Sequence, residues 1–313
     1  MTSNALAIAG GLLLLVVGGD ALVRGAAQIA RRLGVSPLVV GIVLVGFGTS
    51  TPELVTSLVA AGAGSPGIAV GNVVGSNTAN LLLILGLAAL LRPIPATPLA
   101  FKRDGAALAV SALLCLAAVW AGRMGRLAGA AFLVALGVYI AVAIKTEPRR
   151  EGDAEPAPDR VGRLPLAAQA AIFGAGLGAT VLGARLLVGG AIGIARAAGI
   201  SETVIGVTIV AIGTSLPELT ASAIAAARRR PEIALGNIMG SSIYNVLGIL
   251  GVTAVVHPIE VPPEILARDI WVMLAATAAL LICPLTRWRI GRAHGAVLLG
   301  AYAAYLAVLA YNS

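Results

Sequence analysis

Charged residues and cysteines are both scarce in this sequence. Only 12% of its 313 residues are charged, whereas 58% are hydrophobic. Soluble domains carry far more charge than this, so the composition excludes an ordinary soluble protein and indicates a membrane protein. The two cysteines, Cys115 and Cys283, lie in apolar segments, where packing is the expected role rather than a disulfide or a metal site.

Long apolar runs dominate instead, and the mean hydropathy is +0.96. The runs recur at about 20 residues each, the length needed to cross the hydrocarbon core of a bilayer. The first run lacks the basic N-terminal region of a signal peptide and belongs to an internal repeat, so it is expected to be a structural unit. The ten expected spans are 5–30, 37–62, 67–91, 104–122, 126–145, 166–195, 202–227, 232–256, 269–285 and 292–311.

The basic residues lie in short connectors and alternate by side, which is a topology signal rather than a sign of nucleic-acid binding. With the N-terminus placed outside, the cytoplasmic connectors hold sixteen Lys and Arg residues and the external connectors hold four. Under the positive-inside rule this bias predicts that both termini are outside. It also predicts that the charged linker 146–164 is cytoplasmic.

One polar signature occurs twice, 165 residues apart. The first copy reads GFGTSTPELVTS at 46–57 and GNVVGSNTAN at 71–80; the second reads AIGTSLPELTAS at 211–222 and GNIMGSSIYN at 236–245. Other matches at the same offset, such as RD at 103–104 and at 268–269, extend the repeat over five spans per half.

An odd number of crossings places the second copy upside down in the membrane. The sequence therefore predicts an all-α membrane protein with ten transmembrane helices in two inverted five-helix repeats, 1–145 and 165–313. Inverted repeats that hold a substrate between them near the midplane are typical of secondary transporters.

Each copy of the signature places one glutamate, Glu53 or Glu218, inside an apolar span. An acid within the membrane is by default a hypothesis about an ion or proton pathway. The preceding prolines, Pro52 and Pro217, lack an amide hydrogen and clash with the carbonyl four residues earlier. They predict that helices 2 and 7 are broken at an ion site.

Oxygen-bearing side chains accompany each glutamate. Thr49 and Thr214 lie four residues before the acids, on the same helical face. The following span carries a polar ladder at four-residue intervals in each half: Asn72, Ser76 and Asn80, and then Asn237, Ser241 and Asn245. No His or Cys lies nearby, so hard cations such as calcium or sodium fit better than zinc or copper. The outer rungs Asn72 and Asn237 could equally tie helices together or contact an ion.

The stretches GTSTPELVTS…GNVVGSN and GTSLPELTAS…GNIMGSS resemble the two alpha-repeats of the calcium/cation antiporter superfamily, most closely its prokaryotic sodium/calcium exchanger branch. The resemblance implies an antiporter of the plasma membrane that exchanges sodium for calcium by alternating access, without a cofactor. It implies that Glu53 and Glu218 are the central acids. The other implied ligands are Thr49, Thr214, Ser50, Ser215, Ser76, Ser241, Asn80, Asn245 and the backbone carbonyls of Gly46 and Ala211.

This chain departs from the family pattern at two points. Asn80 and Asn245 occupy positions where some relatives carry an aspartate in the second repeat, so Glu53 and Glu218 are the only acids in the two signatures. Ser242 stands where the first repeat has Asn77.

Other functions stay open at this point. Proton/calcium exchange could use the same glutamates, and a cation channel could use duplicated acids, although inverted repeats favour exchange. An enzyme is not expected, because GNVVGSN lacks the lysine of a phosphate-binding loop and no nucleophile–base pair is apparent.

The oligomeric state is open. Asp20 is expected to form a local ion pair with Arg24, outside the duplicated site, since Arg185 is the equivalent of Asp20.

Overall fold

The structure is a computed structural model that describes residues 2–64, 66–146, 164–197, 211–284 and 288–311. Most of the linker 146–164 and the first part of the expected span 202–227 lie outside the described residues. The helices are α1 Thr2–Leu33, α2 Pro37–Thr49, α3 Thr51–Gly62, α4 Gly67–Leu91, α5 Pro98–Trp120, α6 Arg126–Thr146, α7 Leu166–Ala197, α8 Ala211–Thr214, α9 Leu216–Ala227, α10 Pro231–Val256, α11 Ile265–Ile282 and α12 Arg292–Tyr311.

Within these ranges, eight helices are long and apolar enough to cross a membrane, and α2 with α3 makes a ninth span that bends by 42°. The remaining expected span is described from residue 211 onward, as α8 and α9. The helices α4 and α10 are the most enclosed, with 78% and 83% of their apolar windows buried. They carry the two polar ladders, so those ladders lie at the centre of the protein.

Both breaks follow from proline. Helices α3 and α9 begin at Thr51 and Leu216, and each has its proline at the second helical position. An amide hydrogen in the first helical turn has no intrahelical partner, so a proline there costs no helical hydrogen bond. The residues between the helical segments, Ser50 and Ser215, are therefore the break points of the two signatures.

Four two-residue strands join the connectors: β1 Ile94–Pro95, β2 Arg123–Met124, β3 Ile259–Glu260 and β4 Arg289–Ile290. Strand β1 pairs antiparallel with β4, and β2 with β3. Each pair thus holds two connectors on one side of the membrane. The β1–β4 connectors are both cytoplasmic in the charge-based topology, and the β2–β3 connectors are both external.

Helices α1 and α7 lie antiparallel and approach closely through glycines. A β-carbon at Gly18 would lie 2.7 Å from the backbone nitrogen of Thr180, and one at Gly183 would lie 2.8 Å from the backbone nitrogen of Leu15. Small residues allow such backbone proximity between membrane helices. The first helices of the two halves therefore form one tightly packed pair.

Asp20 on α1 forms the expected pair with Arg24, whose Nε lies 2.9 Å from the carboxylate. It also pairs with Arg228, which follows the C-terminal end of α9. This second contact links α1 to the broken helix of the other half. Helical spacing alone could not predict it, because Arg228 is distant in sequence.

The duplicated RD motif forms a carboxylate site of its own in each half. Arg103 Nε lies 2.7 Å from Asp104, and the Tyr139 hydroxyl donates to the same carboxylate at 3.2 Å. In the second half, Arg268 and Tyr305 contact Asp269 at 2.9 and 3.2 Å. The first cluster is more enclosed, because the Asp104 side chain is 0% exposed and that of Asp269 is 20% exposed.

We expect Asp104→Ala to lower the free energy of unfolding by about 3 kcal/mol, because it leaves the Arg103 charge enclosed without its counter-charge. The matched change Asp269→Ala should cost about 1 kcal/mol, since water screens the more exposed pair. Denaturant titration of the purified protein in detergent measures both. Equal losses in the two variants would contradict the conclusion that Asp104 lies in the more enclosed cluster.

Candidate ion-binding site

The two duplicated glutamates lie deep in the protein. Glu53 is in the first turn of α3 and Glu218 in the first turn of α9, and each is 1% exposed. The N-terminus of a helix carries a partial positive charge, which stabilises a carboxylate there. The helix breaks therefore create two positions that favour an acid inside the membrane.

Each acid is contacted by the serine at the opposite break. The Ser50 hydroxyl donates to Glu218 Oε1 at 2.8 Å, and the Ser215 hydroxyl donates to Glu53 Oε1 at 3.4 Å. Both bonds cross from one repeat to the other. The two signatures thus form a single site, with four of the predicted ligand residues in direct contact.

The outer asparagines of the ladders hold the acid-bearing helices. Asn72 Nδ2 donates to the Glu53 backbone carbonyl and to the Ser57 hydroxyl, at 3.1 Å each. Asn237 Nδ2 donates to the Glu218 carbonyl at 3.2 Å and to the Ser222 hydroxyl at 2.8 Å.

These bonds favour the helix-tying role for both asparagines, which the sequence left open. The two serines that accept the bonds, Ser57 and Ser222, were not among the predicted site residues. The sequence does contain a signal for them, because each serine follows the glutamate of its own copy by four residues.

A second contact between the repeats joins α2 to α10. The Ser241 hydroxyl donates to the Gly46 carbonyl at 3.1 Å. The Thr49 hydroxyl lies 2.9 Å from the Val45 carbonyl and 3.2 Å from Asn237 Oδ1. Three more predicted site residues, Gly46, Thr49 and Ser241, therefore lie together at this contact.

The remaining predicted residues are divided between the equivalent helices of the two halves. Ser76 and Asn80 are buried on α4, and Asn245 is buried on α10. Ala211 and Thr214 begin and end α8. These placements keep every predicted residue on the broken helices or on the two enclosed helices beside them.

Among the described residues, several buried polar atoms at the site have no hydrogen-bond partner. They are Glu53 Oε2, Glu218 Oε2, Asn245 Oδ1 and both polar atoms of Asn80. Buried polar atoms are rarely unpaired, and each costs about 1–3 kcal/mol. Four of these five atoms are oxygens, the ligand type that calcium and sodium take.

The candidate site contains two carboxylates rather than three. Across the described parts of the chain, no group of three or more His, Cys, Asp or Glu side chains could hold a metal ion. Neutral oxygens of Ser, Thr and Asn make up the rest of the candidate site. One divalent cation, or two monovalent cations, would balance the two ionised acids.

Comparisons with known proteins identify the family of this chain. The profile of the family described as "Sodium/calcium exchanger protein" matches residues 3–145 and 168–311. The chain is 36% identical to the sodium/calcium exchanger MaX1 of Methanosarcina acetivorans, over 99% of both chains. It is 35% identical to the inner membrane protein YrbG of Escherichia coli, over 97% of this chain and 95% of YrbG.

The fold is also that of a solved exchanger. A structure of the sodium-calcium exchanger NCX_Mj, soaked with 2.5 mM Na⁺ and 0.1 mM Ca²⁺, matches with a TM-score of 0.84 and 31% identity over 97% of each chain. The expected fold class is confirmed: an all-α membrane protein of ten transmembrane helices in inverted repeats, with helices 2 and 7 broken. The chain belongs to the sodium/calcium exchanger family, whose members exchange cations and are not enzymes.

Proposed function

We propose that this protein is a secondary active antiporter that exchanges sodium for calcium across the membrane by alternating access. The observation that carries the proposal is the set of unpaired oxygens on Glu53, Glu218, Asn80 and Asn245, enclosed between the two repeats. A bound cation would satisfy these atoms and balance the two charges. Family membership supports calcium and a second cation as substrates, and the choice of sodium is part of the proposal.

The ligand set that we propose follows the contacts and the repeat. Glu53 and Glu218 bind calcium and sodium alternately as the central acids. Ser50 and Ser215 complete the contact between the repeats. The other proposed ligands are Thr49, Thr214, Ser76, Ser241, Asn80, Asn245 and the carbonyls of Gly46 and Ala211.

Charge explains why such a site exchanges ions rather than leaking them. Each ionised glutamate at the membrane centre costs about 2.5–3.5 kcal/mol on the insertion scale, so an empty site resists moving between the two sides. One calcium ion, or at least two sodium ions, would remove this barrier. Calcium and sodium need the same two acids, so they compete for the site. When the site carries one kind of ion across the membrane, it must bind the other kind before it can return. Three sodium ions per calcium, the ratio that the resemblance implies, would move one net positive charge per cycle.

The proposed location is the inner (plasma) membrane of a prokaryote, with both termini outside and the linker 146–164 in the cytoplasm. The excess of basic residues in the connectors on one side supports this orientation. The strand pairs support the grouping of the connectors by side. We propose residues 1–145 and 165–313 as the two structural halves.

A flux assay in proteoliposomes tests the coupling. At fixed pH, an imposed sodium gradient should drive calcium uptake against its gradient, and an imposed membrane potential should change the rate. A pH gradient without sodium should drive no uptake, and a potassium gradient imposed in the same assay determines whether potassium is also coupled. Uptake driven by pH alone would instead identify proton/calcium exchange, and flux that needs no counter-ion would identify a channel.

A further inference from the structure

Asn77 connects the two enclosed helices beside the site. Its side chain is 2% exposed, on α4, and it reaches across to α10 with both ends of its amide. Asn77 Nδ2 donates to the Ser242 backbone carbonyl at 3.0 Å, and Asn77 Oδ1 accepts from Asn245 Nδ2 at 3.0 Å. Neither contact involves the glutamates directly.

These two bonds determine which way the amide of Asn245 points. A backbone carbonyl can only accept, so the nitrogen of Asn77 must face Ser242 and its oxygen must face Asn245. The nitrogen of Asn245 is therefore the atom that faces Asn77. Its oxygen, which is buried and unpaired, is left on the opposite end of the amide.

Within the part of the chain that the structure describes, the equivalent positions show no matching pair of hydrogen bonds. The position equivalent to Asn77 is Ser242, and its hydroxyl donates to Ile238 within its own helix at 2.8 Å. Asn80, the equivalent of Asn245, is 1% exposed, and neither of its amide atoms is paired with a described residue. The two amides of the candidate site are thus inequivalent, because described residues hold the orientation of Asn245 and none of them holds that of Asn80.

We infer that Asn77 is a positioning residue that presents Asn245 Oδ1 to the transported ion. The inference rests on the proposed function, in which Asn245 is a ligand. A partner that orients a ligand stabilises binding because the ligand no longer has to be ordered when the ion arrives. Asn80 has no such restraint from any described residue, so the second repeat supplies the preset amide oxygen and the first repeat the adjustable one.

A double-mutant cycle tests this role through the concentration of calcium that gives half-maximal sodium-driven uptake. Asn77→Ala should raise this concentration roughly tenfold, as expected for loss of a residue that orients a metal ligand, and should leave the maximal rate within twofold. In an Asn245→Ala background the same change should have no further effect, because no amide oxygen remains to be oriented.

Ser242→Ala is the matched control, since it removes the hydroxyl at the equivalent position, which bonds to its own helix, and keeps the backbone carbonyl that accepts from Asn77. This variant should have the same calcium concentration for half-maximal uptake as the wild type. If Asn77→Ala does not yield folded protein, Asn77→Ser replaces it, because a serine is too short to reach both partners. Monodisperse elution from a sizing column establishes folding for each variant.

Three results would overturn the inference. Wild-type behaviour of folded Asn77 variants would show that Asn77 orients nothing. An equal effect of Asn77→Ala in both backgrounds would show that it acts independently of Asn245. Wild-type behaviour of Asn245→Ala would remove that residue from the ligand set, whereas exchange itself is judged separately by the sodium-gradient assay on the unmodified protein.

Discussion

Glu218→Gln is expected to reduce sodium-driven calcium uptake roughly a hundredfold while the protein stays folded. With only Glu53 charged, a bound calcium ion leaves one net positive charge in the membrane, which costs about 2.5–3.5 kcal/mol on the insertion scale. Each 1.4 kcal/mol corresponds to about a tenfold change in rate. A glutamine oxygen can still accept the hydrogen bond from Ser50, so the packing at the break should survive.

The same reasoning applies to Glu53→Gln, because the two acids are equally buried and lie at equivalent helix starts. Exchange of sodium for sodium separates the charge effect from damage to the fold. One sodium ion still balances the remaining acid, so this exchange should fall less than calcium uptake in either single variant. It should be lost when both glutamates are replaced.

Glu232→Gln is the control for these variants. Glu232 lies in the first turn of α10, half-buried and away from the breaks, so its replacement removes one carboxylate outside the candidate site. Calcium uptake should then be unchanged. Uptake within threefold of wild type in either of the two central variants would remove that glutamate from the site.

The parts of the structure that the sequence could predict are those governed by local chemistry. Pro52 and Pro217 predict the two breaks because a proline disrupts a helix wherever it occurs. The duplicated spacing predicts that Glu53 and Glu218 are equivalent, and an odd number of spans per half predicts the inversion. These features need no knowledge of which helices touch.

The contacts between the repeats depend on tertiary packing and could not be predicted. Local spacing does not indicate that Ser50 donates to Glu218 rather than to the acid of its own copy. It does not indicate that Arg228 reaches Asp20 either. In the sequence, Asn77 is notable only because the equivalent residue of the second repeat is Ser242. Its two hydrogen bonds to α10 depend on how α4 packs against α10.

Gly240→Ala is the second variant for which we expect a loss of roughly a hundredfold in calcium uptake. Gly240 is where α10 meets the backbone of α2. A β-carbon there would lie 2.6 Å from the Ile42 carbonyl oxygen and 2.9 Å from its carbonyl carbon. These are backbone atoms, so the helices themselves must separate, by about 1 Å if an ordinary contact is to be restored.

That separation would act directly on the candidate site. The next residue, Ser241, donates to the Gly46 carbonyl across the same contact at 3.1 Å. A β-carbon at Gly46 would itself lie 2.9 Å from the Ser241 nitrogen, so neither helix can move closer to compensate. A displacement of about 1 Å in a functional geometry can cost two orders of magnitude in rate. Overpacking should also lower the free energy of unfolding by about 1–3 kcal/mol.

Gly137→Ala distinguishes this steric effect from a general intolerance of substituted glycines. Gly137 is exposed on α6, and a β-carbon there would meet no described atom within 4 Å. Alanine has the higher helix propensity, so this variant should be at least as stable as wild type and should transport calcium at the same rate. If Gly240→Ala also transports at the wild-type rate, the close contact between α2 and α10 does not set the geometry of the ion site. If it loses transport but keeps full stability, the loss arises from altered geometry at the contact between α2 and α10 and not from unfolding.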